Sequence, residues 1–499
     1  MTRRRKDALL WIAVFAAAKL ALHTVVNRQY GFHRDELATL DDARHLAWGY
    51  VAYPPLTPFV GRVALALFGE SLAGFRFFAA AAQGAAVVLT ADMARRLGGG
   101  RAAQWLAALA VAASGVSLAA SSLFQYVAFD YLWWVLLAWL VVRLAGSDDP
   151  RWWVAVGPVV GLGFLTKYTI LFFVAGLAAG FFATPLRRHV KSPWLWAGVA
   201  ASLLVAAPNI FWQAGHDFVT LDFLKSIHAR DVRIGRTDGF LLHQLFVPAN
   251  PVTVPLWAAG LYALFASPAL GRFRVLGWAA VATLALFAVA RGRDYYTAPL
   301  YPVLLAAGSV YLLSLLKARG VAEKWATAFA VPVIVLAGAA VAAVVTPVAP
   351  VGSRWWRQAV EVNGDLQEEV GWPELVAKVA RVRDTLPEQE RARAAVYCNN
   401  YGEAGAVNLY GPRHGLPQAI SGVNSFWARG YGAEPPETVI VLGGRREDLE
   451  QRFDSVTPAG RVPNPLGVAN EESRRPEIYV CRGLRGGWPE LWPKLRAFG

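Results

Sequence analysis

The chain has 499 residues, 56% of them hydrophobic and 17% charged, where soluble domains hold roughly 45–50% apolar and about 25% charged residues. A single soluble domain does not fit, and 12% aromatic residues with 20 Trp exclude a disordered chain. The net charge of +14 sits entirely before position 350, because the remainder holds 19 basic and 19 acidic residues; the basic residues lie between apolar blocks rather than in one stripe, a pattern of membrane topology and not of nucleic-acid binding.

In chain order, apolar blocks predict spans near 8–26, 72–93, 102–121, 131–146, 152–166, 168–184, 194–212, 252–267, 275–290, 299–316 and 325–346, about eleven in all. Arg3–Lys6 followed by the first block has the outline of a signal peptide. The block is long for one and lacks a small-x-small cleavage site before Asn27-Arg28, so it reads as a retained span. Short basic connections (Arg95-Arg96 with Arg101, Arg143 with Arg151, Arg187-Arg188 with Lys191, Arg272 with Arg274, Lys317 and Arg319 with Lys324) mark a cytoplasmic face. An odd number of spans then places 27–71, 213–251 and the tail on the outer face. The division expected is a transmembrane module over 1–346, with interfacial helices in 27–71, and an extracytoplasmic soluble α/β domain over 347–499. That domain carries strand patterns at Thr438–Leu442 and Glu477–Val480 and a helical pattern at Pro373–Leu386. The two cysteines, Cys398 and Cys481, both fall there and read equally as a disulfide or as two buried thiols on neighbouring strands. There is no Walker loop, no G-x-G-x-x-G after a strand, no structural zinc spacing and no inverted repeat.

The first outer loop, Tyr30 to Leu56, is the densest polar segment of the membrane half. Asp35 stands just beyond a span among aromatic and apolar neighbours, where desolvation raises a carboxylate toward a useful base. The plainer reading is that Asp35 or Glu36 only caps an interfacial helix. His33, Arg34, Arg44, His45 and Tyr53 are expected to line a substrate cavity, while Asp41 and Asp42 read as a solvated pair. Asp130 opens a span with no other acid within ten residues, and an ionisable group at membrane depth is a functional candidate. Lys167, in a tight outer turn, and Arg291 and Arg293, in another that continues to Tyr295 and Tyr296, break the positive-inside pattern. Phosphate binding is one reason for such cations and snorkelling to headgroups is the other. A divalent cation at His33 beside Asp35-Glu36 is a weaker expectation, since a His next to an Arg makes a poor cluster, and no metal ligands are assigned.

Taken in order, the acidic pair after the first span, Arg44–Tyr50, Pro54-Pro55-Leu56, Asp130, Leu165–Tyr168, Arg293–Tyr296 and, in the tail, Asn399–Ala406 and Gly415-Leu416-Pro417 resemble the GT-C membrane glycosyltransferases. The likeness is to the family 39-like bacterial enzymes related to protein O-mannosyltransferases and to the lipid A aminoarabinose transferase. It implies an α-helical polytopic membrane protein of GT-C type with a small C-terminal α/β domain, placed in a bacterial cytoplasmic membrane with its active site outside. The implied activity is transfer of a hexose or pentose, with inversion, from a polyprenyl-phosphate sugar donor to a protein, glycan or glycolipid acceptor, with no cofactor assigned. On the same resemblance Asp35 is the first-loop catalytic carboxylate with Glu36 its neighbour, and Asp130 is the second acid. Lys167 and Arg293, with Tyr295 and Tyr296, hold the donor phosphate. One departure is Ala52-Tyr53, where the aminoarabinose transferase has an acidic-basic pair before Pro-Pro, so no contact from that pair carries over. The rival reading is a transporter or flippase of a lipid-linked substrate; against it, the polar residues gather at span ends rather than at the midplane.

Overall fold

The computed structural model describes residues 3–499, with side chains from position 13 onward, so the charges of Arg3–Lys6 lie outside the described side chains. Helices occupy each of the eleven predicted segments. α1 (Arg3–Val26) leads into two helices of the first connection, α2 (Arg34–Arg44) and α3 (Leu56–Phe68). The bundle continues with α4 (Leu72–Arg96), α5 (Arg101–Ala112), α6 (Gly115–Ser121), α7 (Tyr126–Ser147), α8 (Trp153–Thr166), α9 (Ile170–Phe182) and α10 (Pro193–Ala214). It ends with α11 (Val219–Arg233), α12 (Phe240–His243), α13 (Val254–Ala266), α14 (Arg274–Val289), α15 (Tyr301–Ala318) and α16 (Glu323–Val345).

Among the described residues, six helices are long and apolar enough to cross a bilayer, or up to eight if each bent pair is one span. Leu204, Phe211, Phe329 and Leu336 on α10 and α16 each expose 71–76% of their surface, a cost in water that lipid removes. α4 lies at the centre, packed by α1, α5 and α7. α13 meets α15 through Gly260 and Gly308, where an added Cβ would come within 1.9 Å of Leu304 O and 1.7 Å of Leu256 O; such backbone contact through small residues is how helices associate without a hydrophobic drive. The predicted span 102–121 is bent by 62° between α5 and α6. A carbonyl freed there is recovered, Asn250 Nδ2 donating to Ala113 O at 3.3 Å, and Ser114 Oγ ties the bend to Pro248 O at 2.8 Å.

The C-terminal part holds α17 (Arg354–Val362), α18 (Trp372–Asp384), α19 (Glu388–Arg393) and α20 (Tyr401–Tyr410) around a four-stranded sheet. Its strands are β1 (Ala395–Tyr397), β2 (Thr438–Leu442), β3 (Phe453–Arg461) and β4 (Glu477–Leu484), in the order β1-β2-β4-β3. β1 and β2 run parallel, and the other pairs are antiparallel. Cys398 and Cys481 are free and buried. They are not on neighbouring strands, because β2 lies between, and they belong to apolar clusters on opposite faces of the sheet. The first connection is no loose loop: Phe32, Leu37 and Leu40 share one apolar cluster with Trp372, Val376, Val396 and Ile440, and α20 lies on α2.

Candidate active site

α2 begins with a capping box that separates the two adjacent carboxylates. His33 Nδ1 accepts from Asp35 N at 3.1 Å and Glu36 Oε2 accepts from His33 N at 2.9 Å. Glu36 is fully buried. It also accepts from Arg76 Nε (2.8 Å) and Nη2 (2.7 Å) and from Phe124 N (2.7 Å). With four donors on one carboxylate no acceptor site is left for a substrate proton, so the catalytic expectation for Glu36 is corrected: it ties α2 to α4.

Asp35, one residue earlier, is half-buried. Its Oδ1 accepts from the Tyr401 hydroxyl at 2.7 Å and its Oδ2 from Gln125 Nε2 at 2.5 Å. Burial pushes this carboxyl up, but His33, Arg34 and the two donors outweigh burial and hold it below the usual carboxylate range. The expected rise toward neutrality is therefore reversed. Asp35 is an anion with about two of its four lone-pair sites still free.

Gln125 is the N-cap of α7, and the residue after it carries the site toward a cationic side. Lys167 Nζ lies 4.3 Å from the centre of the Tyr126 ring and 3.4 Å from that of Tyr296, and has no hydrogen-bond partner although buried. The chain puts Lys167 there by leaving the helix: its φ of −162° and ψ of 137° end α8 before α9 begins. Asp130, one turn into α7, accepts from Trp134 Nε1 at 3.0 Å and Thr169 Oγ1 at 2.8 Å. It thereby braces the Lys167–Thr169 turn rather than standing beside Asp35. Arg293 is not a free cation, since its Nε donates to Asp231 Oδ2 at 2.6 Å and its Nη1 to the Tyr295 hydroxyl at 3.1 Å. Tyr295 and Tyr296 pack edge to face at 4.6 Å.

Of the other expected cavity residues, Arg34 and Tyr53 stay beside Asp35 and Tyr126, while Arg44 and His45 lie away from them. Arg44 and His45 end α2, roughly 13 Å along the helix from Asp35; Arg44 binds Asn408 O at 3.2 Å and Glu70, and His45 Nδ1 donates to Asp41 O at 2.9 Å. Arg34 pairs with Glu471 at 2.6 Å and covers the Tyr401 ring at 4.6 Å. The Tyr53 hydroxyl donates to Asp42 at 2.6 Å, while its ring stands 6.0 Å from Tyr126, so it flanks the site by its ring alone. Asp41 and Asp42 are not solvated: both are buried and ion-paired to Arg429, and Asn408 donates to Asp41 at 2.8 Å. Among the described residues no three His, Cys, Asp or Glu side chains are disposed to hold a metal, and His33 Nε2 has only Asp365, at 4.0 Å. Sequence reasoning missed Gln125, Asp231 and Tyr401; of these only Tyr401 left a signal, the Asn399–Ala406 motif.

Six helices of membrane-spanning length and apolarity among the described residues, or up to eight if each bent pair is one span, define a multi-pass membrane protein. Residues 52–212 match the family described as dolichyl-phosphate-mannose-protein mannosyltransferase. The chain is similar to the lipid A galacturonosyltransferase RgtD of Rhizobium johnstonii, 29% identical over 196 residues that make up 38% of this chain and 41% of that protein. It thus spans about two fifths of the length of the curated relative it matches. The fold is that of ArnT from Cupriavidus metallidurans: bound to undecaprenyl phosphate, that structure aligns with TM-score 0.57 at 15% identity over 94% of this chain and 98% of its own. In the apo state the TM-score is 0.58 at 16% identity, over 95% and 98%.

Proposed function

We propose that the protein is a glycosyltransferase that takes a sugar from a polyprenyl-phosphate donor and passes it to a lipid, glycan or protein acceptor at the outer face of a bacterial cytoplasmic membrane. The observation that carries this reading is the pairing, across Gln125 and Tyr126, of an anionic Asp35 with Lys167, whose buried Nζ sits over the Tyr126 and Tyr296 rings and bonds no carboxylate. The acceptor O–H or N–H gives its proton to Asp35, the acceptor atom bonds to the anomeric carbon, and the bond to phosphate oxygen breaks with its electron pair leaving on the phosphate. Lys167 meets that charge, and Tyr295 and Tyr296 wall the phosphate with Arg293 behind them. Direct displacement inverts the anomeric centre. Asp130 is a positioning residue for Lys167. The undecaprenyl phosphate of the ArnT structure supports a prenyl-phosphate donor, and the activity in RgtD's name supports a lipid acceptor. The basic connections on the opposite face support the outer location.

The bent α5–α6 pair favours a second reading, a transporter, because broken helices frame transport sites. Purified protein in vesicles, given a panel of polyprenyl-phosphate sugars, separates the two: release of polyprenyl phosphate is expected, whereas translocation of one donor without release would overturn the enzyme reading.

A further inference from the structure

The Asn399–Ala406 motif lies in the C-terminal domain, far in sequence from every other residue of the site. Asn400 and Glu403 form a capping box, with Asn400 Oδ1 accepting from Glu403 N at 2.8 Å and Glu403 Oε2 accepting from Asn400 N at 3.4 Å; Oε2 also accepts from Asn399 N at 2.9 Å, and together these fix where α20 starts. Gly402 and Gly405 let α20 touch α2: a Cβ at Gly402 would lie 2.9 Å from Arg34 Cβ, and one at Gly405 would lie 2.7 Å from the Leu37 carbonyl carbon. Tyr401, the first residue of α20, then reaches Asp35 at 2.7 Å, its ring held under the Arg34 guanidinium. Asn399, Asn400, Gly402, Glu403 and Gly405 thereby serve one outcome, the delivery of the Tyr401 hydroxyl to a carboxylate on another domain.

We propose that Tyr401 is a positioning residue for the transfer reaction, its hydroxyl orienting the Asp35 carboxylate, and that Asn399–Ala406 is the docking element by which the C-terminal domain completes the site. This rests on the reading of Asp35 as the base. A donor on the anion keeps Asp35 ionised and pins one oxygen, leaving the other to turn only between Gln125 and the acceptor. The charged and titratable groups facing Asp35 are His33 and Arg34 on α2, Tyr401 on α20, Tyr126 on α7 and Glu368 ahead of α18. Glu471 neutralises Arg34 from outside.

The test is Tyr401→Phe in the full-length protein in vesicles, assayed with a donor and acceptor that the parent turns over. The ring and its contact with Arg34 remain, so only the hydroxyl is removed. The acid limb of kcat is expected to move up by about one pH unit, with KM for the donor unchanged. The comparison is repeated with Glu368→Gln, since burial pushes Glu368 up to about 7 and the shift must survive its removal. Gly405→Ala, which lifts α20 from α2, should move the limb the same way and add nothing to Tyr401→Phe. A pH profile identical to the parent, or a loss equal at every pH, overturns the proposal. If Asp35→Asn abolishes turnover while Tyr401→Phe leaves the limb in place, this inference alone fails; if Asp35→Asn turns over like the parent, the base reading fails first.

Discussion

Asp35 and Glu36 are chemically alike and adjacent, yet one is spent on structure and the other held open, and the difference lies in their partners. Glu36 faces Arg76 in the core with no exposure on either side chain, and breaking a buried pair from one side costs roughly 3–5 kcal/mol. Glu36→Ala is therefore expected to lower thermal stability sharply, measured by tryptophan fluorescence on heating, whereas Asp35→Asn should melt near the parent. Lys167→Ala leaves donor phosphate without its cation and should weaken donor binding by roughly 2–5 kcal/mol; unchanged affinity in a binding titration would return Lys167 to a headgroup contact. Asp35, Lys167 and Asp130 stood out in the sequence as candidates because each is an ionisable residue at or just beyond a span end, but the bracing of the Lys167 turn by Asp130 was not visible there. Asp41 and Asp42 were misread as solvated because their partner, Arg429, stands 388 positions from Asp41, a distance no local pattern bridges.

At the scale of elements, α2 is the part on which the site depends, gripped at its start by Arg76 and at its end by Arg429. Arg429→Ala leaves two buried carboxylates without a counter-charge and should cost about 3 kcal/mol or more, seen as a lower melting temperature. A pH dependence follows at the other grip. Burial and the nearby Glu36 push Glu369 from its ordinary 4.5 up to about 8 against the pull of Arg76. A value raised in the fold means stability present in full below the unfolded value and lost as pH rises through about 8. Melting temperature is thus expected to fall across that window in the parent, and to fall less in Glu369→Gln, which carries the neutral form at every pH. The apolar blocks located the helices because bilayer length sets their period. The bend between α5 and α6 was not legible, since the groups that stabilise it, Asn250 and Pro248, come from another part of the bundle.

At the scale of the molecule, the C-terminal domain is not an appendage, because its core continues into the first connection and its Tyr401 hydroxyl reaches the candidate base Asp35. The α/β character of that domain was legible from alternation, but its docking was not, since interface residues such as Gly405 look like ordinary helix residues until α2 is beside them. Reporters fused after Lys191 and Arg319 are expected to read cytoplasmic and one after Gly352 external; an internal reading at Gly352 would move the whole site to the other face. The central claim is that Asp35 is the base for sugar transfer from a lipid phosphate. Its most direct measurement is the rate of polyprenyl-phosphate release by the parent and by Asp35→Asn, each shown to be folded and to bind donor. A fall of about two to four orders of magnitude with donor binding intact is expected, and release by Asp35→Asn at the parental rate would contradict the account.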